Sequence, residues 1–383
     1  MTKKVAIITF ARFPSEMAYG IHLVQTATSF IENDCKVNVY YPKTYNTKTI
    51  DEQPNNYYKL SNNINFKEIE NIDITSFKVY NIAPRIIQKL FYSINTFIWG
   101  YRVRKYLENE DYLWSTNPNL ILILKNMFKK SFYEKHGEAK YVQKFSISKL
   151  KKDKNVLMIG ITKKSYEDVS NSMNPPLYLP LGVNRELFLP NDSKNSTLTI
   201  GYVGMLETHG IDKGVLKACK EIVKINDVET KTIIVGGPNK KLDEIRKFID
   251  INKKNSYFEV NEFVPHEKVP KIISKFDVGI VPYPDERHMN LYASPMKIFE
   301  LASCGVPILA SNIESHLEIE KFNLGIVYFN HNNFDDFRNK LINLINDEKL
   351  RAELSAKSLE NIDKLSFESR TKTMLISACS STG

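Results

Sequence analysis

From Leu198 to Ala310 short apolar runs alternate with amphipathic stretches, and no other feature of the chain limits its possible folds so tightly. The runs Leu198–Val203, Thr232–Val235, Phe258–Phe263, Val278–Val281 and Val306–Ala310 have the length of buried strands. Helical patterns lie between them, from about Gly214, over Leu242–Ile251, near Lys268–Lys275 and from about Pro295. Strands apolar on both faces and separated by helices build a parallel sheet that is covered on both sides. The N-terminal end repeats the unit. Lys4–Phe10 reads as a buried strand, Leu23, Val24, Ala27, Phe30 and Ile31 fall at helical spacing, and Lys36–Tyr41 alternates like a second strand. Leu120–Leu124 and Val156–Ile161 read as further strands, and Ile86–Leu107 as a long helix. Beyond Phe334 the pattern is helical. The class expected is α/β, with two Rossmann-like domains.

At 383 residues the chain suits two such domains. The expected division is 1–180, a linker over 181–196 with Pro180 before it and Pro190 within it, a second domain over 197–355, and a helical segment over 356–383.

Charge is uneven. Residues 1–180 hold 26 Lys and Arg against 16 Asp and Glu, whereas the remainder holds 27 against 28. Two basic tracts mark the first half. One is the 85–105 helix, with Phe91, Phe97, Ile98 and Trp99 among its cations; the other, 125–154, carries ten lysines. A basic amphipathic helix fits an anionic membrane surface, and its apolar residues fit a core-facing stripe equally well. A pI near 9 without a reader motif argues against nucleic acid. Neither a P-loop nor Gly-x-Gly-x-x-Gly is present, which leaves a nucleoside triphosphatase or a nicotinamide enzyme without support. Cys35, Cys219, Cys304 and Cys379 lie far apart and form no ligand-like pair. That fits a reducing, cytoplasmic setting, with the protein soluble or peripheral on the membrane. No Asp-x-Asp pair occurs, so no carboxylate-held metal and no cofactor are expected.

Ligands of open parallel sheets bind beyond the carboxyl ends of strands. The loop Gly204–Gly214 follows one strand and puts Lys213 at a helix start, where free amides and a full charge suit a diphosphate. An ordinary surface loop reads the same way. In Ser294-Pro295-Met296-Lys297-Ile298-Phe299-Glu300 the proline suits a first helical turn, the amides of Met296 and Lys297 are left to meet an anion, and Glu300 is placed to accept from two ribose hydroxyls. A capped helix with a solvent-facing Lys and Glu is the plain alternative.

YLPLGVNRELFLP, IGYVGMLETHGIDKG, TIIVGGP, FEVNEFVPHEKVPKIISKFDVGIVPY and SPMKIFELASCGVPILAS stand here in the order and spacing of the family-four retaining glycosyltransferases of the GT-B fold. The chain resembles that family, in its Ser-Pro-x-Lys-x-Phe-Glu subgroup, over most of its length. ARFPSEMAYGIHLVQTATSF also resembles the first loop and helix of one subgroup. The resemblance implies an acceptor-side first domain facing a nucleotide-sugar-binding second domain across a cleft, with the C-terminal helices returning to the first. It also implies a metal-independent transfer, with retention, from a nucleotide-diphosphate sugar (UDP favoured, GDP possible) to a hydroxyl of a glycan, a lipid-linked glycan or a lipid. Lys213 would contact the diphosphate, the backbone of Ser294, Pro295, Met296 and Lys297 would hold the phosphates, and Glu300 would bind the ribose. Gly20 and Gly204 would allow close approach, Val264 would flank the base, and His136 would lie near the transferred sugar. His136, Lys213 and Glu300 are thus the candidate catalytic residues. Such transfer is described without an enzyme nucleophile: the leaving phosphate takes the acceptor proton, and catalysis rests on stabilising that phosphate and positioning both substrates.

Two positions depart from the family pattern. Met205 stands where many members have arginine, so Arg185 or Arg287 is a candidate substitute contact, and Tyr292 stands where an acid is usual. These departures keep a catalytically degenerate nucleotide-sugar-binding scaffold in view. A sugar-nucleotide epimerase shares the architecture but needs acidic catalytic groups, for which no convincing set is found.

Overall fold

A computed structural model describes residues 2–44, 50–60, 64–190, 197–208, 210–225 and 229–380. The chain forms two compact units, one of residues 1–180 with 367–383 and the other of residues 181–366. Each contains a parallel sheet.

The first sheet has seven strands: β1 (Lys4–Ile8), β2 (Lys36–Pro42), β3 (Asn65–Ile69), β4 (Tyr112–Ser115), β5 (Lys130–Lys135), β6 (Val156–Gly160) and β7 (Leu177–Tyr178). Their order is β3-β2-β1-β4-β5-β6-β7, so the direction of winding reverses between β1 and β4. Strand alternation sends Val5 and Ile7 to one face and Ala6 and Ile8 to the other. The first pair packs with Leu23, Phe30, Trp114 and Met374, the second with Trp99, Val103, Leu120 and Met158.

Leu120–Leu124 is not a strand but the body of helix Pro118–Leu124. The Asn117 side chain accepts from the Asn119 amide at 3.0 Å and Pro118 fills the first turn, so the run is capped as a helix. Five apolar residues in a row carry no period that separates the two cases. The strands here are β4 and β5, and β5 is masked in the sequence by lysines at both of its ends. Both are buried. Lys130 Nζ donates to the Lys154 carbonyl at 3.0 Å, and Lys135 pairs with Asp168 at 3.2 Å. The 125–154 tract is therefore not a single basic face, because its middle is core.

The second sheet has six strands: β8 (Leu198–Met205), β9 (Thr230–Gly237), β10 (Phe258–Glu262), β11 (Val278–Val281), β12 (Ile308–Ser311) and β13 (Ile326–Phe329). Their order, β10-β9-β8-β11-β12-β13, puts the reversal between β8 and β11. β13 has no counterpart among the expected strands. A separate two-residue hairpin, Glu207–Thr208 with Ile211–Asp212, follows β8.

The stretch expected as a linker belongs to this unit over its described part, 181–190; residues 191–196 lie outside the described residues. Val183 and Phe188 are buried in the second core, and the Val183 amide donates to the Leu365 carbonyl at 2.9 Å. The C-terminal segment divides. Helix Glu348–Asn361 lies in the second unit, whereas the last helix, Phe367–Ser380, lies in the first. There Thr371 Oγ1 donates to the Ser29 carbonyl at 3.1 Å, and Met374 and Leu375 enter the core.

Candidate functional site

In the second unit the reversal point brings the carboxyl ends of β8 and β11 together, where a doubly wound sheet leaves room for a ligand. Four side chains meet here. The Lys213 ammonium lies 5.0 Å from the centre of the Tyr283 ring, and the Lys297 ammonium 5.9 Å from that of Tyr202. Tyr202 donates its hydroxyl to the Met205 carbonyl at 2.6 Å. Lys213 is buried, and among the described residues neither lysine has a carboxylate within ion-pair distance. Burial draws the Lys213 pKa below its ordinary value, and the charge of Lys297 adds to that, with Tyr283 opposing. Burial also works against ionising Tyr283, but the two ammoniums, Lys213 ahead of Lys297, outweigh it and hold this phenol below its usual range.

Backbone geometry makes the cluster possible. Gly204 has φ +132°, and a Cβ on it would collide with Nζ and Cε of Lys297. Gly214, at φ +77°, precedes helix Val215–Ile222, and a Cβ there would strike the Pro282 carbonyl oxygen. Glycine thus lets the β8 loop close over Lys297 and against the end of β11.

Helix Met296–Ser303 carries the rest of the signature. Pro295 is its cap residue, one position earlier than expected. The Met296 amide is not free, since it donates to the Ser294 carbonyl at 3.0 Å. Ser294 Oγ accepts from the Leu181 amide at 3.0 Å. Glu300 lies 3.1 Å from His266 Nε2, and the His266 ring packs 5.3 Å from that of Phe188. His266 fixes the Glu300 carboxylate and was not among the expected residues, although it lies inside one of the quoted motifs. Val264 is half-buried two residues before it and packs on the second core.

Arg185 does not stand in for the arginine missing at Met205. Its guanidinium donates to the Ser303 carbonyl and hydroxyl at 2.9 and 2.8 Å and pairs with Asp363 at 2.8 Å. It therefore caps the far end of helix Met296–Ser303, about 10 Å along the axis from the end that would hold phosphate. Arg287 is exposed at the start of helix Arg287–Tyr292, and Tyr292 is buried at its end.

In the first unit, Gly20 has a packing reason of its own. A Cβ there would come within 2.5 Å of the Tyr58 hydroxyl and 2.6 Å of the Ser15 carbonyl. His136 follows β5 and joins a cluster that sequence reading missed. His136 Nε2 and His22 Nε2 lie 2.6 and 2.7 Å from the same oxygen, Oε1 of Glu134. The other oxygen accepts from Arg370 at 2.9 Å and from the Trp114 indole at 3.3 Å. Burial opposes the charge on Glu134, yet Arg370, His22 and the hydrogen bonds hold its carboxyl well below the usual range. Burial pushes His22 down to about 4 despite the carboxylate. An ionised carboxylate only accepts, so His22 and His136 each donate to Glu134 through Nε2–H. His22, Glu134 and His136 also lie close enough to one another to share a metal ion. A tetrahedral zinc would hold its ligand atoms about 3.3 Å apart, whereas these N–O separations are those of direct hydrogen bonds. Glu134 and His136 sit two apart across the end of a strand, a spacing that puts both on one face and was the available signal. For Arg370 the sequence offers none.

Residues 197–347 match the model of a family described as glycosyl transferases group 1. Sucrose-phosphate synthase from Thermosynechococcus elongatus superposes with a TM-score of 0.69 at 13% identity, covering 99% of this chain and 100% of that one. HepE from Anabaena, in complex with UDP and glucose, gives 0.65 at 11% identity, covering 98% and 100%. A TarM variant from S. aureus, in complex with fondaparinux, alpha-GlcNAc-glycerol and UDP, gives 0.71 at 12% identity, covering 98% and 99%. The chain has the GT-B fold. The family match and these neighbours together support a GT-B glycosyltransferase. A search of curated proteins finds no match.

Proposed function

We propose that the second unit binds a nucleotide-diphosphate sugar beyond β8 and β11, and that the protein transfers the sugar with retention to a hydroxyl of a glycan, a lipid-linked glycan or a lipid. One observation carries the reading: Lys213 and Lys297 converge on a glycine-lined loop with no carboxylate partner among the described residues. Two adjacent cations, one of them buried, are costly unless an anion joins them. A diphosphate supplies the complementary charge, and it is also the leaving group whose growing charge must be stabilised during transfer. Glu300, which contacts His266 at 3.1 Å, would accept from ribose hydroxyls in this reading. A UDP-sugar is favoured because two of the similar structures hold UDP. The diphosphate itself takes the acceptor proton, so no enzyme nucleophile and no metal enter the scheme.

Calorimetry with UDP, GDP and ADP, without added metal, tests this reading. The expected result is one clear binder whose affinity falls in Lys213→Ala and Glu300→Ala. Failure of all three nucleotides to bind would overturn it, and binding without any turnover would favour the degenerate scaffold.

A further inference from the structure

Helix Arg85–Val103 carries two apolar stripes, and the sheet covers only one of them. Trp99 and Val103 face the core, at 1% and 0% exposure, together with the polar Asn95 and Thr96. The opposite stripe, Ile87, Leu90, Phe91, Ile94, Ile98 and Tyr101, recurs at intervals of three and four residues, and each member is 42–64% exposed. The segment leading into the helix carries further exposed apolar residues, Val79 at 75% and Ile82 at 82%, and Ile86 in the first turn is 65% exposed. Single exposed apolar residues are ordinary, but a continuous stripe of this kind marks an interaction surface.

The orientation of the helix is fixed from below. Asn95 Nδ2 donates to the Ile72 carbonyl at 2.7 Å and the Tyr92 hydroxyl to the Phe10 carbonyl at 2.8 Å. Phe10 packs 5.3 Å from the rings of both Tyr92 and Trp99. Turning the helix to bury the outer stripe would expose Trp99 and break these bonds. The even choice between core stripe and surface stripe thus resolves into both, on opposite faces.

The surrounding charge selects the partner. Between Asp73 and Glu108 the sequence has no acidic residue and six basic ones, of which Lys78, Arg85, Lys89 and Lys105 are exposed. A second copy of this chain docking face to face would oppose these cations with their own counterparts. An anionic bilayer takes the same arrangement favourably, with the apolar stripe at the acyl boundary and the ammonium and guanidinium groups among the phosphates. No helix among the described residues is long and apolar enough to cross a membrane, so such attachment would lie in the plane of the interface. We infer that residues 77–101 dock the protein on an anionic phospholipid surface.

The test uses the full chain with vesicles of phosphatidylcholine alone or mixed with phosphatidylglycerol. Co-sedimentation is expected only with the mixed vesicles and should weaken as salt is raised. Leu90→Ser/Ile94→Ser and, separately, Arg85→Gln/Lys89→Gln should each lower vesicle affinity about tenfold or more, with unchanged melting temperature. Phe91→Trp places a reporter on the stripe, because both native tryptophans are buried; its emission should shift to the blue on adding mixed vesicles. Equal binding to both vesicle types, no binding at all, or full binding by the two serine substitutions would overturn the inference. So would a dimer that Leu90→Ser/Ile94→Ser dissociates while mixed vesicles fail to bind the wild type. Nucleotide affinity, measured without lipid, is expected to stay unchanged in these variants, which separates this inference from the proposed donor site.

Discussion

Arg370, in the last helix of the chain, donates to the Glu134 carboxylate at 2.9 Å across 236 residues of sequence. The pair ties the returning C-terminal helix to the end of β5, and both side chains are almost fully buried. Removing one partner strands the other charge where water cannot reach it. Arg370→Met is therefore expected to destabilise the first unit by about 3–5 kcal/mol. Replacing both, as Glu134→Gln/Arg370→Met, should cost less than the sum of the single changes, since no unpaired charge remains. Urea unfolding of the four proteins checks both statements.

Acid should weaken the fold before it discharges Glu134. Burial lowers His22 to about 4 in the first unit and His316 to about 4 in the second, each from an ordinary value of 6.5. Between pH 6.5 and 4 the unfolded chain binds more protons at these sites than the folded one, so stability rises with pH across that window and falls on acidification. Glu134, held below its usual range, keeps its contribution until lower pH. Melting temperature should decline from pH 6.5 to 4.5, and His22→Gln/His316→Gln should flatten that decline. An equal slope in the variant would assign the acid sensitivity to other groups.

What could be read from the sequence was local. In the second unit most strands and the segment from Ser294 to Glu300 follow from apolar runs, turn residues and motif order, because each feature spans only a few residues. Leu120–Leu124 shows the limit: its helical state depends on the cap at Asn117 and on the packing of Leu120, Ile121 and Leu124 in the core, and neither is contained in the run itself. Lys130 and Lys135 show another, since their charge argues for surface while their partners, the Lys154 carbonyl and Asp168, lie beyond the strand. The Glu134 hub lies further out of reach. Three of its donors, His22, Trp114 and Arg370, come from three separate elements, and only His136 is near it in sequence.

The cost of burying Lys213 without a counter-charge gives a prediction in two opposed parts. Lys213→Met keeps the stem and removes the ammonium, so the unliganded protein should gain stability. The same change removes a charge-assisted contact to the diphosphate, worth about 1.5–3 kcal/mol, or about 10- to 150-fold in affinity. Thermal shift should therefore show a higher starting melting temperature and a smaller rise on adding nucleotide. A lower starting temperature with an unchanged ligand response would make Lys213 a structural residue.

Gly204 and Lys297 should act as one element. Alanine at 204 must adopt φ near +132° and would meet the end of the Lys297 side chain. The backbone conformation costs about 1–3 kcal/mol, while the flexible lysine can swing aside. Gly204→Ala should therefore leave the protein folded, with its ammonium displaced from the loop. Nucleotide affinity is expected to fall in Gly204→Ala and in Lys297→Met, and to fall no further when the two are combined. Calorimetry on this double-mutant cycle measures the coupling directly. Additive losses would mean that Gly204 contributes to binding by another route, such as close approach of its own backbone to the ligand.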